Sequence, residues 1–224
     1  MSRFVLISLL SLILPFGACA KESQYQEGRH YLRISQPMPV TGGKVEVLEF
    51  FSYGCPHCMA FEPYYQEWVK TLPAGVKAKQ IPSVMNKGGE VQAKIFYAAE
   101  DLGVLEKVHK ALFNSVQVER KPVFTDEQIV AMVKGLGIDE KVFLDAMRSF
   151  DIDSRVRKAM QTMREYKISG VPSVVVNGQY LTGGGMVGNF AELIKVLDYL
   201  VARETGVVAT KSVAKNKSKA ANID

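Results

Sequence analysis

Cys55 and Cys58 are the residues of this chain whose type and spacing most directly indicate chemistry. They follow an apolar run typical of a strand and precede a helical pattern, so Cys55 is predicted to lie at a helix N-terminus. Unpaired backbone N–H groups and the helix dipole favour negative charge there. Because the thiolate is the reactive form of cysteine, Cys55 is predicted to be reactive, and Cys58, one helical turn later, can close onto it. The pair indicates a dithiol/disulfide redox centre.

A structural disulfide and half of a zinc site are the alternatives for this cysteine pair. A zinc site needs four ligands, and the histidines that could complete it, His30, His57 and His109, are not at finger-like spacing. A disulfide across two residues closes a very small loop and adds little chain-entropy stabilisation. Both alternatives are disfavoured, and no metal site is expected.

Pro56 and His57 separate the two cysteines and influence their redox balance. Pro56 suits the first helical turn, where its missing N–H costs nothing. His57, protonated or as a hydrogen-bond donor, can stabilise a thiolate on Cys55. A stabilised thiolate favours the reduced form, so the disulfide is predicted to be an oxidant. The alternative is an exposed loop histidine without a chemical role.

Glu49 is a carboxylate within a strand that is otherwise apolar. It shares one strand face with Val45, Val47 and Phe51, and burial of a lone carboxylate is costly. We expect its pKa to be raised, so that Glu49 can exchange protons with Cys58 during turnover. The alternative is a glutamate at the end of a strand that reaches water.

The first twenty residues are predicted to be a signal peptide. A positive Arg3 precedes an apolar stretch from 4 to 14, and Ala18-Cys19-Ala20 resembles a small-residue cleavage site. Secretion into an oxidising compartment, where disulfides form and persist, follows from this prediction. The same residues also resemble a lipoprotein cleavage site, in which Cys19 would carry a lipid anchor. The chain is therefore expected to be soluble, or lipid-anchored if Cys19 is lipidated.

The net charge of +5 does not indicate a nucleic-acid partner. Four lysines and one aspartate lie in residues 207–224, and Arg3 would be removed with the signal peptide. The rest of the chain is consequently close to neutral. Residues 207–224 are rich in Lys, Ala, Ser and Asn without an apolar period, and they are predicted to form a disordered basic tail.

The order of predicted elements indicates an α/β fold. Helical spacing is found at 61–72, through 90–167 in four or five helices, and at about 189–203, with helix starts at Thr125 and Asp139. Strands are predicted at 44–51, 76–84 and 173–176, and the turn Asn177-Gly178 leads into a hairpin partner at 179–181.

Without its central helical block, this order matches a thioredoxin-type domain. The predicted fold class is therefore a thioredoxin-like domain with an inserted all-helical domain. The thioredoxin-like domain is expected to be discontinuous, at residues 28–86 and 168–206, with the helical insertion at 87–167.

The run Glu-Phe-Phe-Ser-Tyr-Gly-Cys-Pro-His-Cys at 49–58, the helical block and the Gly-Val-Pro at 170–172 resemble the DsbA family. The resemblance extends over roughly residues 28–206. It implies a periplasmic thiol:disulfide oxidoreductase that donates its disulfide to newly translocated proteins. It also implies reoxidation by a DsbB-like membrane quinone reductase.

The resemblance further implies a role for individual residues. Cys55 would be the exposed nucleophile, Cys58 the buried resolving thiol and His57 the thiolate stabiliser. Glu49 would be the buried acid, and Pro172 a cis-proline.

The Val171–Pro172 bond would be trans on general grounds, since few X–Pro bonds are cis, but the resemblance implies a cis bond. In that case the Val171 backbone could pair with an extended substrate strand. Pro56, Val171 and Pro172 are the expected substrate-binding residues. The sequence departs from the family pattern in the short, glycine-rich stretch 183–185. This departure affects the expected shape of the substrate groove and not the redox chemistry.

The predicted function is oxidation of cysteine pairs in unfolded or extended secreted proteins through the Cys55–Cys58 disulfide. No dissociable cofactor is expected, and the chain is expected to be a monomer. The alternatives are a disulfide isomerase or reductase on the same scaffold, and a non-redox peptide-binding chaperone.

Overall fold

The structure is a computed structural model that describes residues 24–38, 40 and 45–206. The predicted signal peptide with Cys19, the first residue of the predicted strand at 44, and the predicted tail lie outside the described residues. Within the described part of the chain, no helix is both long and apolar enough to cross a membrane.

Five strands form one mixed sheet in the order β1-β5-β4-β2-β3. Strands β2 and β3 are parallel, whereas β4 is antiparallel to β2 and β5, and β1 is antiparallel to β5. Their bounds are β1 Leu32–Arg33, β2 Val45–Phe51, β3 Val76–Pro82, β4 Ser173–Val176 and β5 Tyr180–Gly183.

Strand β2 is the centre of the sheet and leads directly to the cysteine pair. Residues 47–51 are all buried, because helices cover both faces of the sheet. On one face, helices α1 (Pro56–Val69) and α7 (Phe190–Thr205) pack over Val47 and Val174. On the other face, Leu48 and Phe50 pack with Met163 and Tyr166. At the C-terminal end of β2, Phe51 and Cys58 join the core formed with the helical block.

The helical block lies between β3 and β4 and contains five α-helices and one short π-helix. The predicted starts are confirmed: Thr125 forms a capping box with Gln128, and the Asp139 side chain accepts from the N–H of Val142. The helices are α2 Lys87–Asp101, α3 Leu105–Phe113, the π-helix Asn114–Val118, α4 Asp126–Gly135, α5 Glu140–Met147 and α6 Phe150–Glu165.

The predicted hairpin turn between β4 and β5 is confirmed. Asn177 and Gly178 have φ values of +51° and +66°, as the two central residues of a type I′ turn require. A Cβ atom at Gly178 would lie 2.1 Å from the carbonyl oxygen of Met38. Only glycine fits this turn without displacing the chain that crosses it.

Two short elements, β1 and the π-helix, have no counterpart in the sequence prediction. Strand β1 comprises two residues and pairs with the sheet edge at Leu181 and Tyr180, which is too short for a period to be visible. Tyr25, which precedes the expected domain start at 28, is 4% exposed and packs in the core beside α7. The predicted domain boundaries themselves remain a prediction.

Candidate redox site

The turn between β2 and α1 places the two cysteines at the helix N-terminus. The N–H of Cys55 donates to the carbonyl of Ser52 at 3.1 Å, which closes a four-residue turn. Cys55 is the N-cap of α1, and its carbonyl accepts from the N–H groups of Cys58 and Met59. Cys55 therefore lies at the N-terminus of α1, where the helix dipole favours negative charge, as the sequence predicts.

The two sulfur atoms have very different surroundings. Both are thiols in this structure. Cys55 is partly exposed, whereas Cys58 is 0% exposed and packs in the core with Phe51 and Tyr53. A molecule in solution can reach the sulfur of Cys55, whereas the sulfur of Cys58 is closed to solvent.

The pKa values of the two thiols are displaced in opposite directions. A hydrogen bond from the Cys58 thiol, backbone hydrogen bonds at Cys58 and His57, and the charge of His57 outweigh burial and lower the pKa of Cys55 to about 6. The same hydrogen bond, burial, and the negative charge on Cys55 raise the pKa of Cys58. The pair therefore ionises at Cys55 and keeps its proton at Cys58.

Pro56 and His57 are exposed beside the cysteines. Pro56 occupies the first helical position, where a proline removes no helical hydrogen bond. The backbone and charge of His57 both lower the Cys55 pKa, although less than the Cys58 thiol does. The Cys58 thiol therefore has a larger effect on the Cys55 pKa than His57 has.

The loop before β4 brings Val171 and Pro172 next to Cys55. The Cys55 thiol donates to the Val171 carbonyl at 3.4 Å, across 116 positions of sequence. The Val171–Pro172 bond is cis, as the family resemblance implies. Val171 is partly exposed and Pro172 is buried, so the backbone just before Pro172 borders the reactive sulfur.

Glu49 is fully buried in β2, as its place on an apolar strand face predicts, and it does not reach water. One carboxylate oxygen, Oε2, accepts from Gln80 Nε2 at 2.8 Å, and Oε1 has no hydrogen-bond partner among the described residues. Burial, followed by the charge of Glu62, raises the pKa of Glu49 well above its usual value. Glu49 therefore holds a proton at a pH where an exposed glutamate would have lost it.

Sequence reasoning did not identify the polar cluster that surrounds Glu49. Gln80 Nε2 also donates to Glu62 Oε2 at 2.8 Å. Glu62 Oε1 lies 3.1 Å from Nε2 of His109, whose Nδ1 is 2.7 Å from the Tyr53 hydroxyl. These residues belong to different elements, although Glu62 could have been noticed because it lies four residues after Cys58, on the same helix face.

Glu62 and Glu49 have opposite titration behaviour within this cluster. Burial raises the pKa of Glu62, but the hydrogen bond and charge of His109, with bonds from Gln66 and Gln80, lower it overall. One carboxyl is therefore ionised while the other retains its proton. When two neighbouring carboxyl groups have pKa values displaced in opposite directions, the ionised one typically stabilises charge and the protonated one donates a proton.

The described residues contain no group of three or more His, Cys, Asp or Glu side chains arranged to hold a metal ion. The site instead consists of one acidic, partly exposed thiol, one buried thiol and a buried protonated carboxyl. A mixed sheet with a Cys-x-x-Cys pair at the helix that follows its central strand defines a thioredoxin-fold thiol:disulfide oxidoreductase.

Comparisons with known proteins define the family. Residues 75–195, more than half of the chain, match the DSBA-like thioredoxin domain. The chain is 37% identical over 205 residues to the thiol:disulfide interchange protein DsbA of Pseudomonas aeruginosa, covering 91% of this chain and 97% of that protein. It is 36% identical over 204 residues to DsbA of Burkholderia cepacia, covering 90% and 96%. The protein belongs to the DsbA family and is a thiol:disulfide oxidoreductase.

The fold agrees with this assignment. A crystal structure of Pseudomonas aeruginosa DsbA matches with a TM-score of 0.78 at 38% identity, covering 81% of this chain and 95% of that chain. DsbA from Xylella fastidiosa matches with a TM-score of 0.74 at 27% identity, covering 82% and 99%. The predicted thioredoxin-like fold with a helical insertion is confirmed.

Proposed function

We propose that the protein oxidises pairs of cysteine thiols in unfolded or extended secreted proteins by donating its Cys55–Cys58 disulfide. The observation that carries this proposal is the opposite displacement of the two thiol pKa values, about 6 for Cys55 and raised for Cys58. A stable Cys55 thiolate favours the reduced protein, and the disulfide therefore accepts electrons readily.

In the first step, a substrate thiolate attacks Sγ of Cys55 and breaks the Cys55–Cys58 bond. Cys55 is the target because it is the accessible sulfur, whereas Cys58 is fully buried. A mixed disulfide forms between the substrate and Cys55, and Cys58 leaves as a thiolate. Glu49 supplies a proton to Cys58, since its raised pKa keeps a proton available in the same buried region.

In the second step, the other substrate thiolate attacks the substrate sulfur of the mixed disulfide. Cys55 leaves as a thiolate, which its low pKa makes favourable. The substrate dithiol loses two electrons and two protons. The protein gains both electrons and one proton: Cys58 keeps the proton from Glu49, Glu49 takes up one proton from solvent in its place, and the second substrate proton remains in solvent.

The substrate chain is proposed to lie along the loop that carries Val171 and Pro172, with Pro56 as a further contact. The Val171 carbonyl is within 3.4 Å of the reactive sulfur, and its loop leads directly into β4. An extended peptide that pairs with the Val171 backbone would place its cysteine beside Cys55, in the manner of strand addition.

The remaining features of the proposal concern the setting of the protein. The redox unit is the cysteine pair, so the cycle requires a reoxidising partner, which we propose to be a DsbB-like quinone reductase. The proposed location is the periplasm, soluble or anchored through Cys19, and the proposed state is a monomer. The domain boundaries 28–86 with 168–206, and 87–167 for the insertion, belong to the same proposal.

The test is oxidation of a reduced peptide that contains two cysteines. Wild type in its disulfide form should oxidise it stoichiometrically, Cys55→Ala should not, and Cys58→Ala should accumulate a mixed disulfide with it. Capture of clients by Cys58→Ala in the native compartment would identify physiological substrates. Oxidation by Cys55→Ala at the wild-type rate would contradict the proposal, and a scrambled-disulfide refolding assay separates oxidase from isomerase activity.

A further inference from the structure

The central peptide of the Ser52–Cys55 turn, which joins Tyr53 to Gly54, is hydrogen-bonded at both its carbonyl and its N–H group. The carbonyl of Tyr53 accepts a hydrogen bond from Gln117 Nε2 at 2.6 Å. The N–H of Gly54 donates to the Ser52 hydroxyl at 3.2 Å. Because these two groups belong to one peptide unit, the two bonds together determine which way that peptide faces.

Gln117 reaches this turn from the helical block, 64 positions along the chain. It lies in the π-helix that follows α3, and π-helical turns are rare and frequently occur at functional sites. The hydroxyl of Tyr53 is 2.7 Å from His109 in α3. The helical block therefore holds Tyr53 at its backbone and at its side chain.

The sequence of the turn permits a second orientation of the same peptide. Type I and type II turns differ mainly by a flip of the central peptide, and type II requires positive φ at the third residue, which favours glycine. The third residue is Gly54. Its φ lies outside the left-handed region here, so the observed turn is not type II, although Gly54 could adopt that conformation without steric cost.

We propose that Gln117 is a positioning residue of the redox reaction, which holds the turn before Cys55 in its observed orientation. Gln117 acts through the peptide and not on sulfur. A flip would reverse a peptide dipole next to Cys55 and release the Tyr53 backbone from the helical block. It would thus change both the position and the electrostatic surroundings of the thiolate. This inference rests on the proposed function, since it concerns the reactivity of Cys55.

The first test is Gln117→Met, which keeps the length of the side chain and removes its N–H donor. A net hydrogen bond corresponds to roughly a fivefold change in an equilibrium. We expect the rate constant for oxidation of a dithiol peptide to fall by up to about fivefold, and the pKa of Cys55 to rise, as read from its thiolate absorbance. Gln161→Met, which changes an exposed glutamine bonded to Glu165 in α6, is the matched control and should leave both quantities unchanged.

The second test is restoration by Gly54→Ala in the Gln117→Met background. A Cβ atom at Gly54 would meet only the Ser52 hydroxyl, at 3.7 Å, so alanine fits the observed turn. Alanine disfavours positive φ and therefore the flipped turn. The double variant should recover the Cys55 pKa and the rate relative to Gly54→Ala alone, whereas a merely structural role of Gln117 would give no recovery.

Three results would overturn the inference or its basis, and they are distinguishable. If Gln117→Met has the wild-type rate and the wild-type Cys55 pKa, the turn keeps its peptide orientation without the hydrogen bond from Gln117. A loss that Gly54→Ala does not repair shows that Gln117 acts otherwise than through the peptide orientation. An ordinary thiol pKa for Cys55 in the wild-type protein would instead refute the proposed function.

Discussion

Two residues of one type acquire opposite chemistry within a single helical turn. The hydrogen bond from the Cys58 thiol and backbone hydrogen bonds lower the pKa of Cys55, while burial and the negative charge on Cys55 keep the proton on Cys58. Separated pKa values in paired groups are a general sign of divided roles. The distinction arises from where the turn ends and α1 begins, and not from the residue type.

At the residue scale, the sequence predicts the sites that local pattern determines. The cysteine pair follows from its spacing, and Glu49 from its place in an apolar strand. The cluster of Gln80, Glu62 and His109 could not be predicted, because β3, α1 and α3 contribute one residue each and only the tertiary packing brings them together.

The reduction potential should show a change of slope with pH at the pKa of Cys55. Above about pH 6, reduction of the disulfide takes up two electrons and one proton, because Cys55 stays ionised. Below that pH it takes up two protons. The potential should therefore fall by about 30 mV per pH unit above the break and about 60 mV below it. Equilibration with glutathione at several pH values measures this, and a single slope through the whole range would contradict it.

Glu49→Gln should slow thiol exchange by roughly tenfold or more, because an amide cannot deliver a proton to the leaving Cys58. The pH dependence of the exchange rate should lose the contribution of this carboxyl. Stopped-flow measurement of peptide oxidation tests both. Glu67→Gln, an exposed glutamate of α1 that pairs with Lys70, is the matched control, and equal rates in the two variants would argue against a proton-transfer role for Glu49.

At the scale of elements, the features with strong local chemistry are those that the sequence predicts. Helix starts at Thr125 and Asp139 use side-chain oxygens that bond to the first turn, and the hairpin at 177–178 uses residues that tolerate positive φ. Strand β1 has only two residues, and the π-helix departs from helical geometry over five. Neither has enough length for a periodic signal.

Gly178→Ala should destabilise the protein by about 2–4 kcal/mol. Alanine is strained at φ +66°, and its Cβ would lie 2.1 Å from the Met38 carbonyl oxygen. Gly103→Ala is the control: its φ is +68° but no atom lies within 4 Å of the added Cβ, so it should cost only about 1 kcal/mol. Urea unfolding of both variants measures the difference, and equal losses would contradict the close approach of the Met38 segment.

At the scale of the whole molecule, the thioredoxin-like sheet supplies the cysteine pair and the helical block surrounds it. Phe51, Tyr53 and Cys58 share one core with residues of α2, α3 and α5. The order of elements predicts this fold class, because strands and helical blocks follow one another in a recognisable sequence. It does not predict that α3 and the π-helix contact the redox turn, which depends on how the block packs onto the sheet.

The reduced protein should be more stable than the oxidised protein by an amount that depends on pH. The Cys55 pKa of about 6 lies below the value of about 8.5 for a free cysteine, so this group stabilises the folded reduced form. That contribution is complete above the unfolded pKa and is lost as pH falls through the folded pKa. The disulfide form has no such group. Urea midpoints of the two forms should therefore converge from about pH 8 to about pH 5, and a constant difference would contradict the linkage.

Titration of the ultraviolet thiolate absorbance of the reduced protein tests the acidity of Cys55 most directly, with Cys55→Ala as the reference. We expect one thiol to ionise with a midpoint near pH 6, its signal to be absent in Cys55→Ala, and the buried thiol to remain protonated through neutral pH. A midpoint near pH 8.5, the ordinary value for a free cysteine, would contradict the account.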